Sequence, residues 1–332
     1  MTLVEELLDA FGAPSASERR LREYGLAAFC GDDVAARQVQ LAQVLLRGAL
    51  REIVGAFGDE VPFLLLKGEP LQALLFENKY LRSTGDIDLL VLPGDLGIAR
   101  RRLAALGYRR KSDEGPRMWV HYQEAWRHEK LGVIVEIHWS VAEPQMAQPA
   151  LYQLMDTRVG FRFDDGLEVD VLRSDWLFFQ LVLHFHHHIG FAKGLLDIAG
   201  WLDRFGADVD RGEMLARARR LRMFGMVQWP LHTIARLVGR PPPMWDGGAD
   251  LFVRVCTAAS ASAMRDCLAR PPRNDVEASL SAVMLRVGPA MSVTMQALRM
   301  LTADGGKVDK GRAFLRPVLE GPHFVGRALR RR

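Results

Sequence analysis

The chain has 332 residues, 49% of them hydrophobic and 25% charged, which is enough apolar material for a sizeable core in one large domain or two small ones. A formal net charge of +4 suits a phosphorylated substrate and does not by itself indicate nucleic acid. Cys30, Cys256 and Cys267 are too few and too scattered for a disulfide framework or a zinc site, and the sequence shows neither a leader pattern nor an apolar run of bilayer length, so the expected compartment is the reducing cytoplasm, with no membrane partner.

Residues 1–58 read as a helical N-terminal cap. Leu3, Leu7, Leu8 and Phe11 recur at helical spacing, Gly12 and Pro14 close that segment, and a Ser-x-Ser-Glu-Arg-Arg run starts another. From Val34 to Phe57 a longer pattern, with Leu41, Val44, Leu45, Ala49, Ile53 and Val54 on its apolar stripe, predicts one helix ending at Gly58. Residues 59–173 change texture to short β-rich segments between turns. Strands are expected at 62–66, 86–92, 108–111, 118–122 and 133–139, with helices at 70–76 and 96–106, giving an α+β core: a small mixed sheet with helices to one side. Residues 174–303 turn helical again. Ser174-Asp175 opens a long apolar helix, and others follow near 195–205, 212–222, 226–237 with a kink at Pro230, 249–268, 275–286 and 290–301. Residues 304–332 form a basic tail ending in Arg330-Arg331-Arg332, expected to be a solvated terminus.

The chemistry concentrates between Leu64 and Val91. An apolar strand meets the Lys67-Gly68 turn, a helical segment follows, and Asp86-Ile87-Asp88 opens the next strand. Strand side chains alternate faces, so Asp86 and Asp88 point the same way, roughly 6–7 Å apart, while Ile87, Leu89 and Val91 face the core. A pair of acids on a strand is often only a solvated face. This pair interrupts an apolar run, follows a Lys-Gly turn, and has a companion in Glu136 within the later strand Val133–Trp139. Side-by-side carboxylates repel, and a divalent cation relieves them, which is the logic of metal-dependent phosphoryl transfer.

These residues, in this order, resemble a known family. Lys67-Gly68 after a strand, Tyr80 and Arg82 ahead of Asp86-Ile87-Asp88-Leu89-Leu90-Val91, then Leu106-Gly107-Tyr108, Glu136-Ile137-His138-Trp139 and a His-rich helix are similar to the uncharacterised nucleotidyltransferase family, a branch of the DNA polymerase β-like nucleotidyltransferase superfamily. The likeness spans about residues 61–203. It implies a small mixed sheet carrying the catalytic core, with Asp86, Asp88 and Glu136 as catalytic and metal-binding acids and Gly68 in the turn that holds the triphosphate. Glu69 departs from the pattern, standing where the superfamily has Ser or a second Gly. A carboxylate there repels a triphosphate unless it points away, and Lys67 or Arg82 would then supply the compensating charge.

In such a transfer the protein aligns a nucleophile with phosphorus and neutralises charge on the non-bridging oxygens, a task for magnesium, or manganese in its place. Lys67 and Arg82 are candidate phosphate contacts. His138 shares a strand face with Glu136, and on the His-rich helix His184 and His187 are expected to line the cleft near nucleotide or acceptor. Four histidines at 184 and 186–188 also allow a structural metal, although no His-Glu-x-x-His pattern accompanies them. Asp197, among apolar neighbours, is expected to pair with an Arg or His.

The expected function is Mg-dependent transfer of an NMP, by default AMP, from an NTP to a small-molecule or peptide acceptor, with pyrophosphate released. Two alternatives stand beside it: a catalytically silent nucleotide-binding scaffold, which Glu69 favours, and a kinase-like phosphotransferase on the same metal site.

Overall fold

Seven strands form one mixed sheet: β1 (Phe63–Leu65), β2 (Asp86–Val91), β3 (Tyr108–Arg110), β4 (Gln123–His128), β5 (Ile134–His138), β6 (Arg158–Arg162) and β7 (Glu168–Leu172), in the order β3-β4-β5-β2-β1-β7-β6. The computed structural model describes residues 1–16, 21, 26–111, 122–142, 148–187, 192–246, 248–249 and 251–264. The helices expected at 275–286 and 290–301, residues 118–121 of one expected strand, most of the second N-terminal start signal and the basic tail lie outside them.

The described α-helices are α1 (Leu3–Ala10), α2 (Asp33–Phe57), α3 (Glu69–Leu75), α4 (Leu96–Ala105), α5 (Leu151–Asp156), α6 (Ser174–His187), α7 (Ala192–Phe205), α8 (Arg211–Arg220), α9 (Phe224–Val238) and α10 (Leu251–Met264). Sequence cues account for several ends. Thr2 and Glu5 form a reciprocal capping box on α1, the Asp32 carboxylate accepts from the Ala35 N–H to start α2, and Asp210 does the same for α8 through Glu213.

The sheet is covered on both faces, not on one as its sequence suggests. Ile87, Leu89 and Val91 of β2 join Val135 and Ile137 of β5 against Ala49, Leu50, Ile53 and Phe57 of α2 and Leu96, Ala99 and Leu103 of α4. On the other face Leu64, Leu66 and Leu90 belong to a larger core built with α1, α3, α6, α7 and α9. The physical reason lies in Leu89-Leu90-Val91, where consecutive apolar residues replace alternation and demand cover on both sides.

Helix α2 also departs from its expected stripe. Its second half packs on the sheet, but Leu41, Val44 and Leu45 are 70%, 63% and 46% exposed, and the buried residues of the first half are Val39 and Gln43. The side chain of Gln43 explains the turn of the helix: its amide donates to Gln72 Oε1 at 2.9 Å and to the Lys79 carbonyl at 2.7 Å. Strand β4, the strands β7 and β6 that complete one side of the sheet with β6 at its edge, and the short α5 go beyond the elements expected from the sequence. The mostly exposed Arg-Val-Gly-Phe-Arg of β6 carries no alternation to read, and it owes its strand form to pairing with β7.

Helix α7 is drawn close to α3 by Gly200. A Cβ there would sit 2.8 Å from a Phe76 ring carbon and 3.3 Å from the Leu75 carbonyl oxygen, so a larger residue would push the helices apart. The Asp203 carboxylate, on the same helix, accepts from the Leu3 and Val4 N–H groups at 2.9 and 3.2 Å and ties α1 down. The resulting wall of α6 and α7 faces the sheet where β2 begins.

Candidate active site

Strands β2 and β5 run parallel, with Asp86 opposite Ile134, Asp88 opposite Glu136 and Leu90 opposite His138. That register, with the alternation of each strand, puts Asp86, Asp88, Glu136 and His138 on the face toward α6 and α7. Ligand atoms of Asp88, Glu136 and His138 all lie within 4.8 Å of one another. Asp86 is outside that group: it stands one strand period nearer the preceding loop and lines an open cavity.

Asp88 is fully buried. Lys67 Nζ donates to its Oδ1 at 3.0 Å and His138 Nε2 lies 2.9 Å from the same oxygen, while Oδ2 has no hydrogen-bond partner. His138 Nε2 is also 3.6 Å from Glu136 Oε2, which accepts from the Gln123 amide at 3.1 Å. Burial drives the Asp88 carboxyl upward, yet Lys67 first and His138 next outweigh it and hold the group below the ordinary carboxylate range. Asp86 and Glu136 move the other way: burial, and then the charge of Asp88, raise both.

A divalent cation fits this donor set. Two carboxylates and an imidazole converge, a third carboxylate shares the face, and a buried carboxylate oxygen lacks the partner that its desolvation demands. Among the described residues this is the one cluster of His, Cys, Asp and Glu with ligand atoms close enough to share an ion.

The loop of residues 82–85 enters β2 beside this cluster. Arg82 Nε lies 2.6 Å from Asp197 Oδ1 on α7, close enough for an ion pair though off the line of a hydrogen bond, and both side chains are buried. Asp197 thus has the basic partner its setting called for. Lys193, also on α7, donates to the Ser83 carbonyl at 2.6 Å and to Ser83 Oγ at 2.9 Å. A cavity of 280 Å³ opens between loop and helices, and Lys67, Arg82, Asp86, His184 and Lys193 reach it.

Gly68 adopts φ +95° and ψ −151°, a conformation open essentially to glycine, and it caps the seven-residue α3. Glu69 follows, buried and turned into cations of its own: Arg47 binds both oxygens, with Nε to Oε2 at 3.0 Å, and Lys79 Nζ is 3.0 Å from Oε1. Lys79 and Arg47 extend this network to Asp164 and Asp165 in the β6–β7 turn.

The histidines divide. His138 joins the acids and His184 lines the cavity. His186 is buried in the helical core with Nε2 3.1 Å from the Met226 carbonyl and its ring edge-on to Trp229, and burial lowers its pKa to about 4, so it packs as a neutral ring. The His187 side chain and all of His188 lie outside the described residues. Arg82 was a candidate from the sequence, but Gln123 and the contact of Ser83 with Lys193 were missed, since Gln123 sits in an unforeseen strand and Lys193 meets Ser83 across 110 residues of sequence.

No curated protein matches the chain. Among solved structures, a nucleotidyltransferase-like antigenic protein from Paracoccidioides brasiliensis is similar at 16% identity and a TM-score of 0.32, over 59% of this chain and 93% of that one, a likeness too slight to argue from. Residues 33–239, more than half of the chain, match the family model of the uncharacterised nucleotidyltransferases, and the chain belongs to that family.

Proposed function

We propose that the protein is a metal-dependent nucleotidyltransferase that moves an NMP, with AMP as the default, from an NTP onto a hydroxyl or phosphate of a small-molecule or peptide acceptor and releases pyrophosphate. The observation that carries this reading is the lopsided pairing of Asp88: two basic groups on Oδ1, none on the buried Oδ2, with Glu136 and His138 converging on the same point.

Asp88 and Glu136, with Asp86 beside them, would hold the cation, and His138 either adds a nitrogen ligand or orients Asp88. Bound there, a divalent ion such as magnesium or manganese would neutralise charge on the phosphate oxygens and make the acceptor hydroxyl easier to deprotonate. Lys67, paired with Asp88 Oδ1, favours the ionised form of that carboxyl. Gln123 fixes the orientation of Glu136. With 22% of its side chain exposed, against 0% for Asp88 and 5% for His138, Glu136 is the member of the cluster best placed to meet an acceptor and take its proton. The catalytic unit is residues 59–173, with the helices after 174 closing one side. The proposed compartment is the cytoplasm; no described helix is long and apolar enough to cross a membrane.

The silent-scaffold reading rested on Glu69, and that carboxylate is neutralised by Arg47 and Lys79, which removes the objection. Titrating NTPs calorimetrically with and without magnesium tests what remains. Metal-dependent binding that Asp88→Ala abolishes is the expected result, and metal-independent binding or none would sink the reading. Mass spectrometry of the products then separates transfer, which releases pyrophosphate, from a kinase, which leaves a nucleoside diphosphate.

A further inference from the structure

We propose that the triphosphate is held in the 280 Å³ cavity between the 82–85 loop, Lys67 and Lys193, and not at the Gly68 turn. The inference rests on the nucleotidyl-transfer reading for the identity of the ligand and on the cavity itself for the place.

The Gly68 turn offers an anion little. The cleft beside it measures 30 Å³, room for about two waters. The helix that starts there has only two turns. Its neighbouring cations, Arg47 and Lys79, are already matched to Glu69, Asp164 and Asp165.

The cavity is roomier and richer in cations. Lys67, Arg82 and Lys193 line it with one carboxylate, Asp86; Lys67 is paired with Asp88 and Arg82 with Asp197, while Lys193 gives its hydrogen bonds to the uncharged Ser83. Ser83 and Thr84 bring hydroxyls, and Gly85 leaves the main chain accessible for lack of a side chain. An ammonium carries three donors and Ser83 takes two from Lys193, so the lysine both shapes the loop and keeps a donor in hand. Burial first, and then Arg82 beside it, bring Lys193 down to about 8, and an anion seated against the ammonium would restore stabilisation that burial removes. The cavity is also continuous with the acidic cluster: Lys67 lines it and touches Asp88, and Asp86 lines it one strand period from Asp88. A polyphosphate seated there would lie beside the residues proposed to hold the cation.

The test uses the full chain with magnesium and two probes, ATP and inorganic tripolyphosphate, titrated calorimetrically. Lys193→Met is expected to weaken both by about 10-fold or more and by the same factor, with Lys193→Arg recovering most of the loss. Lys79→Met, at the Gly68 turn, is expected to leave both within about two-fold. Because Lys193 also positions Ser83, a measurement on the unaltered protein stands beside the variants: tripolyphosphate should displace ATP competitively. Unchanged binding by Lys193→Met, a larger loss in Lys79→Met, or ATP binding that tripolyphosphate cannot displace would each overturn the inference. If no acceptor is ever modified while tripolyphosphate binding still depends on Lys193, the transfer reading fails and the anion seat stands. If transfer occurs and Lys193→Met binds normally, the seat alone fails.

Discussion

Glu69 and Asp88 are both buried acids beside the same short turn, and they differ in how their oxygens are satisfied. Glu69 is matched on both: Arg47 reaches Oε1 and Oε2, and Lys79 adds to Oε1. Asp88 is more deeply buried, yet Lys67 and His138 both fall on Oδ1 and Oδ2 is left without a partner. The first arrangement is complete as it stands and ties α2 to α3. The second is complete only when something positive arrives. Burial and charge alone do not separate a structural carboxylate from a functional one; the distribution of partners over its two oxygens does.

Asp197 tests the boundary of that distinction with the largest expected effect. Its ion pair among the described residues is with Arg82, and Asp197→Ala strands a guanidinium that is 5% exposed, so unfolding free energy should fall by about 3–5 kcal/mol in urea titrations. A loss below about 1 kcal/mol would mean that Arg82 is satisfied from the cavity side.

Glu136→Gln should do the reverse. Turnover is expected to drop about 100-fold as a proton acceptor and a cation ligand are lost. Thermal stability should hold or rise, because repulsion from Asp88 is relieved. A clear fall in melting temperature would place Glu136 with the structural acids.

Glu69→Ala comes next, at about 2 kcal/mol of stability, since Arg47 and Lys79 keep some exposure and are partly rescued by solvent. Nucleotide affinity, followed in the same variant, should stay within about three-fold; a larger change would return the phosphates to the Gly68 turn.

The smallest effect belongs to Asp175, a paired acid whose side chain keeps partial exposure. Burial pushes it up, but Arg173 and Arg217 bring it down to about 2, against 3.8 ordinarily. A folded-state value below the unfolded one stabilises the fold above about pH 4 and is lost as pH falls toward 2, worth about 1 kcal/mol after solvent screening. Wild type and Asp175→Asn should therefore differ in urea midpoint at pH 6 and converge near pH 2; a constant gap would show that the pairing does not respond to protonation.

Much of the site was legible because it is local. Two acids two residues apart on an apolar strand must share a face, and Glu136 and His138 announce themselves in the same way on β5. What the residues could not show was register: that Asp88 lies opposite Glu136 depends on β2 and β5 being parallel neighbours, a matter of topology. The orientation of Glu69 was hidden for a similar reason, since its partner Arg47 comes from α2, whose apolar stripe turned out to be displaced by the buried Gln43. Ser83 and Lys193 are each unremarkable in sequence and acquire meaning only where α7 crosses the loop. His186 shows the limit of composition: one histidine among several, its role is decided by the Met226 carbonyl and Trp229.

The claim on which all of this turns is that Asp88 and its neighbours hold a divalent cation. Titrating the protein with manganese and following free ion by electron paramagnetic resonance measures it directly. Saturable binding that disappears in Asp88→Asn, with the circular dichroism of the variant unchanged, is the expected result. Absence of bound manganese in the wild type, or binding that survives the substitution, would contradict it.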